Sequence, residues 1–290
     1  MKFEVSHRTT YRYSEPVVHS QHLVHLAPCS VANQRVTRHG LEIHPSPNRR
    51  VDWRDTFKNP VTFLEIERSH KELVLHARST IETSAGIPTL PARTTPWDAL
   101  DAALATGGTI DLDVVAYRCA SHATTASLDI ADYTRQSFPT GRPVLEACTD
   151  FMRRIYADFT FDAKATDVST PISVVFAKRR GVCQDFAHLT LAGLRAMRVP
   201  ARYVSGYILT HPPPGQPRMQ GADASHAWVS VWSPEYGWQG LDPTNGIAAG
   251  EEHIVIAQGR EYNDVCPISG VLLGGGEHSV DVSVDVAPLP

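Results

Sequence analysis

Residues 181–197 (GVCQDFAHLTLAGLRAM) constrain the fold more than any other stretch of the chain. Good helix formers follow the cysteine, and apolar residues recur at helical spacing as far as Met197, before Pro200 ends the pattern. The glycine at the start indicates a tight entry, so Cys183 is predicted at the helix N-terminus. Unpaired backbone N–H groups and the positive end of the helix dipole lie there, and both favour a thiolate. The segment therefore predicts a nucleophilic cysteine.

Two later segments offer a base and an orienting group for such a nucleophile. Residues 224–232 (ASHAWVSVW) alternate and are rich in β-branched and aromatic residues, which predicts a strand that carries His226. Residues 237–244 (GWQGLDPT) follow after a stretch of turn composition, so a hairpin is expected. His226 and Asp242 would then lie roughly opposite each other, where cross-strand neighbours are about 4.5–5.5 Å apart. We therefore predict that Cys183, His226 and Asp242 act together.

Four motifs in this order resemble the bacterial transglutaminase-like cysteine enzymes. They are residues 181–188 (GVCQDFAH), 199–207 (VPARYVSGY), 225–228 (SHAW) and 241–244 (LDPT). The resemblance to the catalytic core of that family covers roughly residues 140–250. Residues 10–13 (TYRY) and 55–60 (DTFKNP) also resemble the β-rich N-terminal region that is often joined to this core.

The resemblance implies a role for each of three residues. Cys183 would be the nucleophile, His226 the general base and acid, and Asp242 the residue that orients His226. The chain departs from the family at Lys58, where the family often has a glycine between phenylalanine and asparagine. This position lies far from the chemistry, so the departure affects only the expectation for a turn.

Composition excludes several classes of function. The chain has 290 residues, 42% of them hydrophobic, and a net charge of -4, which gives no argument for nucleic acid or an anionic membrane surface. No run of about 18 apolar residues is present, and the N-terminus lacks an apolar signal core, so no membrane partner is expected. The five cysteines are odd in number and scattered, which favours reduced thiols in the cytoplasm over a disulfide framework.

We predict an α+β fold with a transglutaminase/papain-like core, in which the nucleophile helix packs on an antiparallel sheet. Residues 1–85 contain short alternating segments and are predicted as a β-rich sandwich or curled antiparallel sheet, for which a structural role is favoured over a role in substrate access. Residues 86–142 are predicted as an irregular linker up to about residue 112 and then helical segments. Residues 143–262 are predicted as the catalytic core, and residues 263–290 as a β tail with its alternating valines on one face.

Three evenly spaced histidines invite a metal-site interpretation. His19, His22 and His25 recur every three residues, but this period does not suit one face of a strand, and no nearby cysteine or carboxylate completes a ligand set. No acidic loop of the calcium-binding type is present either. We therefore predict no metal and no cofactor.

Residues next to the three site residues have structural interpretations that we favour. His188 is expected to pack in the core, and Asp185 to cap the helix or to neutralise Arg179 or Arg180. Trp228 is expected in the core, where it would help to exclude water from His226. The proline-rich residues 211–217 are predicted as an exposed loop.

Three hypotheses for the activity follow. In the first, the thiol acts on carboxamide or peptide bonds through a thioester, as an amidase or peptidase. In the second, the same thioester is passed to an amine, as in a crosslinking protein-glutamine amine transferase. In the third, the chain is a non-catalytic binding module with the same fold, against which the complete trio of residues argues. The predicted partner is a protein or peptide substrate with a carboxamide or amide bond, with an amine acceptor in the second hypothesis.

Overall fold

Two antiparallel sheets, a short two-stranded parallel sheet and a group of helices make up the described parts of the chain, so the predicted α+β fold is confirmed. The computed structural model describes residues 1–105, 112–210 and 225–290. The strands are β1 (Lys2–Val24), β2 (Gln34–His44), β3 (Arg49–Arg54), β4 (Pro60–Ile66), β5 (His70–Thr83), β6 (Thr160–Phe161), β7 (Arg180–Gly181), β8 (Ala201–Ile208), β9 (Ser225–Ser233), β10 (Gly237–Asp242), β11 (Ile247–Ala248), β12 (His253–Gly259), β13 (Ile268–Gly274) and β14 (His278–Leu289). The helices are α1 (Leu100–Ala105), α2 (Leu112–Val115), α3 (Leu128–Arg135), α4 (Val144–Asp158), α5 (Ile172–Lys178) and α6 (Cys183–Ala196).

The first sheet is built around β1, the longest strand. Its first half pairs with β5 on one side and β14 on the other, and its second half pairs with β4 and β13. The remaining strands, β2 and β3, pair with β5 and β4 at the edges. The result is the curled antiparallel sheet that the alternating segments predict. The C-terminal tail completes this sheet, because β14 pairs with β1 along most of its length.

The second sheet has the order β11-β10-β9-β8-β12 and supports α6. The side chains of Leu189, Leu191 and Leu194 are fully buried on this helix, in one core with Tyr203 of β8 and Val229 of β9. Helices α3, α4 and α5 pack around the other sides of α6, which explains why this helix is buried almost throughout. The nucleophile helix therefore lies against an antiparallel sheet, as predicted.

A turn in the N-terminal region joins the two sheets. Lys58 has a φ of 69°, in the left-handed region that favours glycine, so the family's glycine has a physical reason and the lysine adopts the same turn. The carboxylate of Asp55 accepts hydrogen bonds from the backbone N–H groups of Phe57 and Asn59, both at 2.8 Å. The Asn59 side chain forms two hydrogen bonds of 2.8 Å with the backbone of Gln258 in β12: its Nδ2 donates to the carbonyl oxygen, and its Oδ1 accepts from the N–H group.

Several local predictions differ from the structure. A short helix, α1, lies within the stretch predicted as irregular, because Leu100 and Leu104 are buried. Strands β3, β12 and β13 were not predicted as separate elements. The predicted loop at residues 211–217 lies outside the described residues. Within the ranges that are described, no helix is long and apolar enough to cross a membrane.

Candidate active site

The N-terminus of α6 is built around a buried aspartate. Asp185 Oδ2 accepts a hydrogen bond from the backbone N–H of Val182 at 2.8 Å and one from the Thr166 hydroxyl at 2.6 Å. Burial raises the pKa of Asp185. A Cβ atom on Gly181 would lie 2.6 Å from the same oxygen, so this entry requires glycine. Cys183 is therefore the first residue of the helix, as predicted, and its side chain is half-buried.

The two arginines before the nucleophile have other partners than Asp185. The Arg179 guanidinium stacks over the rings of Tyr133, Phe159 and Phe176 at 4.3–4.8 Å. Arg180 lies 3.7 Å from the carboxylate of Asp162. Of the two expectations for Asp185, the structure supports helix capping.

The hairpin of β9 and β10 brings His226 and Asp242 into contact. His226 Nε2 lies 2.7 Å from Asp242 Oδ2. The last paired residues of the hairpin are Leu241 and Val229, so Asp242 lies one residue further and reaches His226 diagonally. Gly206 of β8 pairs with His226 on the opposite side.

The His226 imidazole also faces the thiol of Cys183. Because Nε2 is occupied by Asp242, Nδ1 is the ring nitrogen that remains available to Cys183, which lines the same cavity as His226. Burial lowers the pKa of His226, but the hydrogen bonds with Asp242 and Cys183 and the charges of both groups raise it to about 9 overall. The surroundings of His226 therefore favour its protonated form, with the Asp242 carboxylate on one side of the ring.

Asp242 is fully buried and accepts five hydrogen bonds. Its Oδ2 accepts hydrogen bonds from His226 Nε2, from His253 Nε2 at 3.2 Å and from Asn245 Nδ2 at 2.7 Å. Its Oδ1 accepts hydrogen bonds from the backbone N–H groups of Thr244 and Asn245. Burial raises the pKa of this carboxyl, but the hydrogen bonds from the two histidines and Asn245, together with the charge on His226, hold it well below its usual range. Asp242 is therefore held as a carboxylate.

His253 and Asn245 were not predicted from the sequence. Asn245 follows the LDPT motif directly, and its position was the one available signal. His253 Nδ1 lies 3.1 Å from the backbone N–H of Gly250, which must donate, so His253 Nε2 carries the proton given to Asp242. His253 therefore donates a hydrogen bond from Nε2 to the carboxylate.

Among the described residues, two groups of side chains have the spacing of metal ligands. One comprises His226, Asp242 and His253, whose ligand atoms lie within 4.8 Å of one another. Because these atoms are hydrogen bonded to each other, this group is already satisfied without an ion. The other comprises His19, Glu65 and Glu67 near the protein surface. Glu65 lies in β4 and Glu67 directly after it, and the spacing of the histidines did not reveal these carboxylates.

The other two histidines of the evenly spaced set have different surroundings. His25 contacts the backbone oxygen of Cys266 and the carboxylate of Asp55. His22 is buried, which lowers its pKa to about 4. The three histidines thus lie in three separate environments. This is consistent with the expectation that a three-residue spacing does not place them on one face of a strand.

A cavity of about 500 Å³ opens at Cys183 and His226. Strand β1 contributes His7, Thr9 and Tyr11 to its wall, and Val280 and Val282 of β14 continue that wall. The same valine face carries Val284 and Val286 into the core. The sheet of the N-terminal region therefore forms one side of the cavity beside the thiol, and the choice between a structural role and a role in substrate access stays a prediction.

His188 and Trp228 support the site from behind. His188 Nε2 accepts the backbone N–H of Tyr262 at 3.0 Å, and burial lowers its pKa to about 4, so it is a neutral packing residue, as expected. The Trp228 ring is buried, with its centroid 5.9 Å from that of His226 and 5.2 Å from that of His253. It therefore packs against both imidazoles.

Comparison with known proteins identifies two regions of the chain. Residues 3–82 match the bacterial transglutaminase-like N-terminal region, and residues 131–243 match the transglutaminase-like superfamily. An uncharacterized protein of Mycobacterium tuberculosis is 40% identical over 300 residues, which cover 99% of this chain and 93% of the relative. A protein-glutamine gamma-glutamyltransferase of Pseudomonas aeruginosa is 31% identical over 120 residues, which cover 41% of this chain and 18% of that enzyme.

A solved structure has the same fold over the whole chain. It is a candidate cysteine protease from Cytophaga hutchinsonii, with a TM-score of 0.77 and 20% sequence identity. The match covers 100% of this chain and 91% of that one. At this identity the likeness concerns the fold.

Proposed function

Since this chain belongs to the transglutaminase-like superfamily, we propose that it is a thiol-dependent acyl-transfer enzyme that acts on carboxamide or peptide bonds, mainly as an amidase or peptidase. The observation that carries this proposal is that Cys183 and His226 line one cavity, while His226 is hydrogen bonded to the buried Asp242. A module without chemistry has no physical need for a charged pair of this kind, because burying charged groups costs free energy unless they are paired.

In the proposed reaction, the Cys183 thiolate attacks the carbonyl carbon of the substrate and forms a tetrahedral oxyanion. The backbone N–H of Cys183, at the first position of α6, has no partner within the helix and is the proposed donor to this oxyanion. His226 gives its proton to the leaving ammonia or amine, and a thioester with Cys183 remains. Asp242 fixes the imidazole orientation and stabilises its cation. Water then releases the acid.

The lining of the cavity favours a substrate that is uncharged next to the reacting bond. The residues that line the cavity include no lysine, arginine, aspartate or glutamate within the described parts of the chain. His7 is neutral there, because burial lowers its pKa to about 4. Valines and tyrosines form much of the remaining wall. We therefore propose a protein or peptide substrate with a neutral, partly apolar segment around the carboxamide or amide bond.

A peptide-library screen tests this proposal. Wild-type protein is incubated with peptides that carry glutamine, asparagine and internal peptide bonds, and products are identified by mass spectrometry. Deamidation or cleavage should disappear in Cys183→Ala and persist in Cys119→Ala, which removes an exposed cysteine elsewhere. Products that persist in Cys183→Ala would contradict the proposal.

Transfer to an amine is a second candidate, supported by the similarity to the gamma-glutamyltransferase of Pseudomonas aeruginosa. The same screen with a primary amine separates the two. An amide product formed in place of the acid would identify the amine as the acceptor, whereas unchanged hydrolysis would identify water.

All five cysteines are free in the structure, and the cytoplasmic location stays a prediction.

A further inference from the structure

A second cavity lies on the opposite face of the catalytic sheet. Along β8, Tyr203 and Ser205 line the catalytic cavity, whereas Arg202 and Val204 line the second one. This alternation follows from the period of two in a strand. The second cavity has a volume of about 650 Å³ and is closed on its other side by the segments around residues 29–33, 57–59 and 84–87.

Arg202 lies in this cavity without a polar partner. Within the described parts of the chain, its guanidinium makes no hydrogen bond and no ion pair, and its Nε is buried without a partner. One face of the guanidinium is stacked on the Trp238 ring, 4.2 Å from the centroid, which leaves the N–H groups at its edge. Burial lowers the pKa of Arg202 to about 10, which is still high enough to keep it charged at neutral pH.

The charge of the cavity is one-sided. Its described lining contains no aspartate or glutamate, and its other cation, Lys58, pairs with Asp113 outside the lining, so Arg202 is the lining cation whose charge is not paired. Aromatic rings of Phe57, Tyr236 and Trp238 contribute to the same lining. A buried cation without a counter-charge is costly, and a guanidinium edge matches a carboxylate or phosphate in two parallel hydrogen bonds.

We propose that this second cavity binds a small organic anion, whose carboxylate or phosphate pairs with Arg202 and whose apolar part packs against the aromatic lining. This site is distinct from the acyl-transfer cavity and does not depend on the proposed reaction. The two cavities are nevertheless separated only by the sheet, since His253 lines the second one and donates a hydrogen bond to Asp242.

Titration calorimetry with three matched probes tests the proposal. Benzoate and phenyl phosphate carry the two anionic groups on the same ring, and benzamide is a neutral analogue of benzoate. We expect saturable binding of at least one anion and binding of benzamide at least about tenfold weaker, since a hydrogen bond to a charged group contributes about 1.5–3 kcal/mol and tenfold corresponds to about 1.4 kcal/mol. The preferred anion identifies whether carboxylate or phosphate is recognised.

Two variants assign the binding to Arg202. Arg202→Gln removes the charge, and Ala85→Glu adds a competing carboxylate at an exposed position of the same wall while it keeps Arg202. Each should weaken anion binding at least about tenfold, whereas Arg153→Gln, the same change on an exposed face of α4, should not. Absence of saturable binding by the wild-type protein would overturn the proposal. Unchanged affinity in the folded Ala85→Glu and Arg202→Gln proteins would overturn it as well.

Discussion

Acid should destabilise the fold through His188, the buried histidine on the nucleophile helix. Its pKa is lowered by burial from 6.5 to about 4, and protonation would also disrupt the hydrogen bond that Nε2 accepts from Tyr262. The unfolded chain therefore binds the proton more readily than the folded one, so stability falls as pH decreases through 6.5 towards 4. A difference of about 2.5 pKa units corresponds to about 3 kcal/mol in full, of which about 2 kcal/mol should be lost by pH 5.

The substitution His188→Gln tests this reasoning, because the glutamine oxygen can accept the Tyr262 N–H but cannot be protonated in this range. Urea unfolding of both proteins at pH 7 and pH 5 gives the loss of unfolding free energy for each. We expect the loss to be about 2 kcal/mol smaller in the variant. Contributions from His7 and His22, whose pKa values burial also lowers, are present in both proteins and cancel. Equal losses in the two proteins would refute the reasoning.

Three further predictions concern the catalytic sheet. Asp242→Asn should keep the fold but slow the acylation of Cys183 by up to about 10⁴-fold. A change in the acylation rate within about threefold would show that Asp242 has only a structural role in the turn. Because the pKa of His226 is raised to about 9, its proton is retained up to that pH, so the rate with a neutral substrate should fall above pH 9 and not near pH 6.5. Gly206→Ala should lower the free energy of unfolding by about 1–3 kcal/mol in a denaturant titration, because its Cβ would lie 2.0 Å from the backbone oxygen of Ile254; an unchanged midpoint would show that the strands can move apart.

The parts of the site that the sequence predicts are those with strong local signals. The helix after Cys183 has a clear apolar period. A short turn joins the two strands that carry His226 and Asp242, so the contact between these two residues follows from neighbouring segments. His253 joins Asp242 from β12, which pairs with β8 rather than with β10 or β11, the two strands that precede it in the chain. No local pattern specifies such a pairing.

The missed strands lack the alternation that reveals a half-buried strand. All six residues of β3 are exposed, and β13 carries exposed apolar residues such as Val271 and Leu273. Both strands are defined by pairing with distant residues of the first sheet. The same reason applies to the cavity wall, because Tyr11 and Val280 come from opposite ends of the chain and meet only through the pairing of β1 with β14.

Timed alkylation with iodoacetamide at pH 6 tests the central claim, the ion pair between Cys183 and His226, most directly. An ordinary thiol with a pKa near 8.5 is only about 0.3% ionised at that pH. Cys119 is exposed and serves as the accessible reference, whereas burial raises the pKa of Cys29 to about 12 and that of Cys148 further. After quenching and digestion, mass spectrometry should show that Cys183 reacts faster than the other four cysteines, and His226→Ala should remove most of this preference. If Cys183 reacts no faster than Cys119, or if His226→Ala leaves its rate unchanged, the ion pair does not exist in this protein.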